Sequence, residues 1–212
     1  PTRYFAERMG SRLGLDPGKI QVVHNGISLD GYREVIRPVR GELSVGFFAR
    51  MCPDKGLDTV VDAFIDLHSR GSVPRVRLRV GGGCGPGDEA FVAEQKAKLP
   101  RAGLLGEATF HPNVTREEKI SFLAGCDVLS VPARFSEAFG LYLIESLAAG
   151  TPVVQPDVCG FREIIEATGG GVVYPGNSAR DLADALERLL RKPAHLRDLR
   201  SEEHTSELQS RG

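Results

Sequence analysis

Leu43-Ser44-Val45-Gly46-Phe47-Phe48 is a short apolar run, and after the loop Ala49 to Gly56 the stretch Leu57 to His68 sets Leu57, Val60, Val61, Phe64 and Leu67 on one helical face. A strand therefore leads through a loop into an amphipathic helix. The alternation continues with a strand from Arg75 to Val80, a helix from Asp88 to Leu99 and a strand from Ala108 to Phe110. Thr115 then caps a helix, with Glu118 completing a capping box. Asp127 to Val131 reads as a strand, Gly140 to Ala149 as an apolar helix ended by Gly150, and Pro152 to Gln155 as the next strand. Gly171 to Tyr174 is a last strand, and Ser178 caps a helix carrying Leu182, Ala185, Leu186, Leu189 and Leu190. Strands separated by helices pair in parallel through right-handed crossovers. The expected fold is thus α/β, a doubly wound, mostly parallel sheet covered on both faces.

The residues ahead of Leu43 follow a different plan: a helix near residues 2 to 13, a strand Ile20 to Val23, the turn Asn25-Gly26 and a charged stretch from Arg33 to Arg40. Residues 1–42 are read as the tail of an upstream domain plus a linker, and 43–199 as the domain proper. Pro1 opens directly into the helix, so the chain is expected to begin inside a larger protein whose N-terminal domain is largely missing. At the other end, Arg200-Ser201-Glu202-Glu203-His204-Thr205-Ser206-Glu207-Leu208-Gln209-Ser210 resembles a translated sequencing adapter. Residues 200–212 are accordingly expected to be an artefactual, disordered tail; a polar terminal helix is the alternative.

The chain has 212 residues, enough to bury roughly 70% of its unfolded surface. Its 41% hydrophobic and 26% charged residues exclude a disordered or collagen-like chain, and no apolar run is long enough to span a membrane. With 27 Lys plus Arg against 28 Asp plus Glu, no bulk field draws nucleic acid or anionic lipid. Any anion must be held by a local device. The four cysteines, Cys52, Cys84, Cys126 and Cys159, form no close pair in sequence, which fits neither a zinc ligand set nor a secreted disulfide frame and points to a cytoplasmic protein.

In an open parallel sheet, ligands bind beyond the carboxyl ends of the strands. After the first strand, Arg50 and Lys55 stand in a loop that feeds a helix N-terminus, an arrangement suited to a phosphate group. Two solvated surface cations are the plainer alternative. After the second strand, Gly81-Gly82-Gly83-Cys84-Gly85-Pro86-Gly87 fails every phosphate-loop spacing, with Asp88 where the ATPase loop needs Lys, so an ordinary flexible turn stands beside a close backbone approach. The stretch Ser136-Glu137-Ala138-Phe139-Gly140-Leu141-Tyr142-Leu143-Ile144-Glu145 puts one carboxylate in a loop and a second more than a turn inside an apolar helix. A buried carboxylate needs donors. Ribose hydroxyls would serve Glu145, and the helix start at Phe139 and Gly140 would offer N–H groups to a diphosphate; pairing of Glu145 with a structural Arg is the alternative. His111 lies nearest the expected cleft and reads as a packing or surface residue.

Taken together, these residues resemble the C-terminal, donor-binding half of the retaining glycosyltransferases of family 4, whose two Rossmann-like domains form the GT-B fold. The matching pieces are Val23-His24-Asn25-Gly26-Ile27, Arg50 with Lys55-Gly56, Glu137 with Glu145, and Gly150-Thr151-Pro152-Val153-Val154. Pro112 stands where the family has Gly, and Ala133 where it has Ser. The resemblance implies transfer of a sugar from a nucleotide-diphosphate donor, linked to UDP, GDP or ADP, with retention. It assigns catalytic roles to Arg50, Lys55 and Glu137, the two cations holding the diphosphate and Glu137 the sugar's hydroxyls. It further assigns Glu145 to the ribose, Phe139, Gly140 and Leu141 to sugar and diphosphate, and Asn113 and Val114 to the base. No Asp-x-Asp occurs, so no metal and no other cofactor is expected. The acceptor would belong to the missing N-terminal domain, through which any peripheral membrane association would also run, and no nucleic acid is involved. A nucleotide-binding module without catalysis, the piece itself being inactive, is one competing reading. A phosphorylase or nucleotide-sugar epimerase on the same fold is another.

Overall fold

The computed structural model describes residues 1–37, 41–73, 75–134 and 137–200. Six strands, β1 (Leu43–Phe48), β2 (Val76–Gly82), β3 (Ala108–Pro112), β4 (Val128–Leu129), β5 (Val153–Pro156) and β6 (Gly171–Tyr174), form one sheet in the order β3-β2-β1-β4-β5-β6. Every pairing is parallel, with Leu43 opposite Val76 and Phe48 opposite Gly81. Ser44 to Phe47 are buried one after another in β1, which requires cover on both faces. That cover comes from α2 (Leu57–Arg70), α3 (Glu89–Arg101), α4 (Arg116–Ala124), α5 (Leu141–Ala148), α6 (Phe161–Thr168) and α7 (Ala179–Leu190). Leu57, Val60, Val61, Phe64 and Leu67 of α2 are all buried, each large side chain contributing about 1.5–3 kcal/mol. α2 packs against α3 and α7, and α4 against α5. The expected fold class is the observed one.

Local signals hold at several boundaries. The expected capping box of Thr115 with Glu118 forms, and the expected cap at Ser178 is a second such box, closed by Asp181. β2 and β3 run two residues beyond their expected ends because Gly81 and Gly82 pair with His111 and Pro112. Pro112, lacking an N–H, ends the edge strand β3, where a missing donor costs no ladder bond. β4 is shorter than expected, although Asp127 N–H still donates to the Ser44 carbonyl and Ser130 N–H to that of Gly46, each at 2.9 Å.

One expectation requires correction. Ile20 to Val23 forms no strand, because no neighbouring segment among the described residues offers it a ladder; a 3-10 turn, Pro17–Lys19, capped by Asp16, precedes it. After α8 (Pro193–Asp198), the Arg200 guanidinium donates to the Asp127 carbonyl at 2.8 Å and to its carboxylate at 2.6 Å. Residues 201–212, Ser136 and the end of the charged stretch at 38–40 lie outside the described residues. At the N-terminus, α1 (Arg3–Leu13) begins at the N-cap Thr2. No helix among the described residues is long and apolar enough to cross a membrane.

The strand order reverses direction between β1 and β4, so the loops leaving these two strands flank a crevice at the carboxyl edge. That crevice carries the candidate site.

Candidate functional site

The loop after β1 follows the glycine loop after β2. Ala49 N–H donates to the Gly81 carbonyl at 3.3 Å and Met51 N–H to that of Gly83 at 2.8 Å, while the Met51 side chain is buried. Arg50 is left pointing outward, 66% exposed, with Nε 3.2 and 3.1 Å from the two Asp88 oxygens. The hydrogen bond from Arg50 and then the Gly85 N–H hold the Asp88 carboxyl below the usual carboxylate range. The glycine loop is fastened on two sides: Asp88 closes it from one. Asn113, at φ 52°, pins it from the other through paired 2.9 Å bonds to the Cys84 backbone.

Lys55 ends a 3-10 turn, Pro53–Lys55, and its ammonium is hydrogen-bonded to Glu137 in the loop before α5. The Tyr142 hydroxyl also donates to Glu137, at 3.3 Å, and the Lys55 Nζ lies 5.8 Å from the Tyr142 ring centroid. Burial, then the Glu137 charge, push the Tyr142 hydroxyl well above its usual value, so it stays a neutral donor. The two loops are stitched together where Arg134 N–H donates to the Asp54 carbonyl (2.9 Å) and its guanidinium to Asp58 (2.6 Å). Lys55 and Glu137 are thus neighbours because their supporting loops are.

α5 starts at Gly140 with no side-chain cap and no acid in its first turn, leaving its first N–H groups and dipole open to an anion. Phe139 is buried below this start, and Leu141 is 44% exposed. Further along α5, Glu145 accepts a 2.6 Å bond from Lys119 of α4, both side chains being less than a quarter exposed. The partner that Glu145 requires is therefore a lysine rather than an arginine. Tyr32 packs nearby, its hydroxyl pushed up to about 12 by burial and then by the Glu145 charge.

Between β2, β3 and the start of α4 opens a cleft of about 480 Å³. Phe48, Gly82 and Gly83 form one wall, Asn113 and Val114 another, and the cations Arg116 and Lys119 line it from α4. Asn113 and Val114 are in the cleft, and Lys119 joins it to Glu145. His111 packs edge-on against Phe122, with centroids 5.6 Å apart. Among the described residues, no three His, Cys, Asp or Glu side chains gather in a way that could hold a metal ion.

Residues 31–205 match the family described as glycosyl transferases group 1. The chain belongs to the group 1 glycosyl transferases. It is 32% identical over 205 residues to D-inositol 3-phosphate glycosyltransferase of Mycobacterium sp. (strain KMS), covering 92% of this chain and 45% of that protein. It is 35% identical over 203 residues to the enzyme of that name from Mycobacteroides abscessus, covering 91% and 44%. The chain thus spans about half the length of the curated relatives it matches. Among solved structures, the sucrose-phosphate synthase of Thermosynechococcus elongatus superposes with a TM-score of 0.77 at 24% identity, covering 97% of this chain and 52% of that one. Anabaena Alr3699/HepE in complex with UDP-glucose superposes with a TM-score of 0.76 at 20% identity, covering 95% and 56%. The fold is that of the Rossmann-like C-terminal domain of GT-B glycosyltransferases.

In this group 1 glycosyl transferase domain, sequence reasoning missed three side chains that contact the candidate site residues: Asp88 at Arg50, Lys119 at Glu145 and Tyr142 at Glu137. Asp88 was visible only as the residue that spoils a phosphate loop. Lys119 follows the capping residue Thr115 by one helical turn, and a search for a cation to pair with Glu145 could have found it. Tyr142 lies five residues beyond Glu137 in an apolar helix and carries no signal of its own.

Proposed function

We propose that this domain binds a nucleoside-diphosphate sugar, linked to UDP, GDP or ADP, across the carboxyl edge of the sheet. In the complete enzyme the sugar passes with retention to an acceptor held by a further N-terminal domain. The observation that carries the reading is the pair of lysine–carboxylate contacts, Lys55 with Glu137 and Lys119 with Glu145, flanking the crevice. Each pair sets a carboxylate against an ammonium beside the rim. The solved complexes of Alr3699/HepE with UDP and with UDP-glucose favour a nucleotide sugar as the ligand, and the D-inositol 3-phosphate glycosyltransferase relatives favour glycosyl transfer as the reaction.

In this reading Arg50, Lys55 and the open start of α5 at Phe139, Gly140 and Leu141 hold the diphosphate, and Glu145 accepts from the ribose hydroxyls. Asn113 and Val114 flank the base. Lys55 turns from Glu137 to the diphosphate when the donor arrives, which frees Glu137 to accept from the sugar's hydroxyls. As the glycosidic bond breaks, charge grows on the departing diphosphate, and the preorganised cations stabilise that charge more than the ground state. The departing phosphate takes the acceptor's proton. Arg50 and Lys55 supply the charge that a metal clamp would otherwise provide, so the site works without a metal. A cytoplasmic setting belongs to the same proposal, supported by four free thiols.

Calorimetry of this chain with UDP, GDP, ADP, UDP-glucose, GDP-mannose and ADP-glucose tests the reading. At least one nucleoside diphosphate and its sugar ester should bind, equally well in excess EDTA. Glu145→Gln should weaken that nucleotide at least about tenfold, while the 2′,3′-dideoxy form binds both proteins alike. A chain that binds none of the six ligands would contradict the donor site, and binding lost in EDTA but restored by Mg²⁺ would contradict metal independence.

A further inference from the structure

The start of α1 is fastened to the loop that carries Glu137. Thr2 is fully buried, and its hydroxyl donates to the Ala138 carbonyl at 2.8 Å while accepting from Phe5 N–H at 3.2 Å as the helix cap. Its methyl group occupies the space over Gly160, where an added Cβ would lie 2.8 Å from Thr2 Cγ2. Glu163 of α6 completes the joint: its Oε2 accepts from the N–H groups of Arg3, at 2.8 Å, and Tyr4, at 3.5 Å, a negative charge at the positive end of α1. His24 braces the same corner, one ring nitrogen 2.8 Å from the Pro1 carbonyl and the other 4.0 Å from Glu163. Its ring lies 6.4 Å from that of Phe139.

Ala138 lies between Glu137 and the Phe139-Gly140 start of α5, so its peptide sets the direction of both. The side-chain contacts of Glu137 to Lys55 and Tyr142 are at its tip, where a bound sugar would compete for them. The Thr2 contact is to the main chain behind it, and no ligand at the rim displaces it. We propose that Thr2, held in place by Glu163, is a positioning residue for Glu137: it fixes the backbone of the Glu137 loop from the segment ahead of the sheet, so that the carboxylate meets the donor sugar already aimed. The inference rests on the donor-site reading for the identity of that ligand.

The test uses the 212-residue chain with Thr2→Val, Thr2→Ser and, separately, Gly160→Ala, whose ordinary φ of −83° admits a Cβ without backbone strain but crowds the Thr2 side chain. In hydrogen exchange, Thr2→Val and Gly160→Ala should speed the amides of Ala138 to Leu141 about tenfold or more, leave those of β1 to β3 unchanged, and Thr2→Ser should match the parent. Unchanged amides at 138–141 would overturn the brace, and equal acceleration throughout the sheet would reduce it to a general stabilising contact. With the nucleoside diphosphate and sugar ester that the parent chain binds, Thr2→Val should weaken the ester about fivefold or more and the diphosphate less than about twofold. Equal weakening of both would overturn the positioning role. A parent chain that binds none of the ligands would overturn the donor site, leaving hydrogen exchange to decide the brace by itself.

Discussion

Replacement of Lys55 by alanine should weaken nucleoside-diphosphate binding by about 10- to 100-fold, the scale of a lost charge-assisted contact of about 1.5–3 kcal/mol. The parent nucleoside should bind the variant and the original alike, because Lys55 is the proposed diphosphate contact and does not line the cleft of Asn113 and Val114. The contact is partly shielded, the Lys55 side chain being 31% exposed and Glu137 16%. Salt should therefore weaken it less than it would weaken a contact from Arg50. Calorimetry with the diphosphate and the nucleoside, at low and high salt, checks this. Equal losses for both ligands would show that the substitution damages the pocket as a whole, and no loss for the diphosphate would remove Lys55 from the site.

Gly82→Ala should destabilise the domain by about 3 kcal/mol or more, near the upper end of single-substitution effects. Gly82 has φ +122°, a region closed to residues with a side chain, and a Cβ there would overlap the Ala49 carbonyl. The substitution would force apart the loops after β1 and β2, which form a wall of the cleft and carry Arg50. For a chain of this size the loss corresponds to a fall in Tm of roughly 6–12 °C. Gly87→Ala, at a glycine with open space around it and an ordinary φ, is the control and should leave Tm unchanged. Thermal unfolding followed by circular dichroism measures both; equal melting of the two variants would contradict the account of the Gly82 backbone.

Most of the architecture could be read from local pattern. The run Leu43 to Phe48 is mainly apolar, Ser44 being its one polar residue, because β1 is covered on both faces, and its limits coincide with the observed strand. The caps at Thr115 and Ser178 are contacts between residues three apart, which a linear reading can see. Ile20 to Val23 misled for the opposite reason, since a strand exists only where a partner supplies a ladder and sequence periodicity says nothing of partners. The site shows the same division. Arg50, Lys55, Glu137 and Glu145 fall at loop ends or inside an apolar helix, where their charge is conspicuous. Their partners come from elsewhere in the chain: Asp88 lies 38 residues from Arg50, Glu137 lies 82 from Lys55, and Lys119 lies 26 from Glu145. The Thr2–Ala138 contact, across 136 residues, is the extreme case. Burial also explains why Tyr142 was overlooked, because an aromatic in an apolar helix reads as core until its hydroxyl is seen to reach a carboxylate.

The central claim is that a nucleoside-diphosphate sugar settles at the carboxyl edge of the sheet, between the loops after β1 and β4. Amide chemical shifts of the isotope-labelled chain, recorded while UDP-glucose, GDP-mannose and ADP-glucose are titrated in turn, test it residue by residue. For at least one ligand, the largest shifts should fall on residues 50–56, 82–84, 113–116 and 137–145. Shifts gathered instead around Ser44, Arg77 and Thr109, which line a second pocket at the opposite edge of the sheet, or no saturable shifts with any of the three, would contradict it.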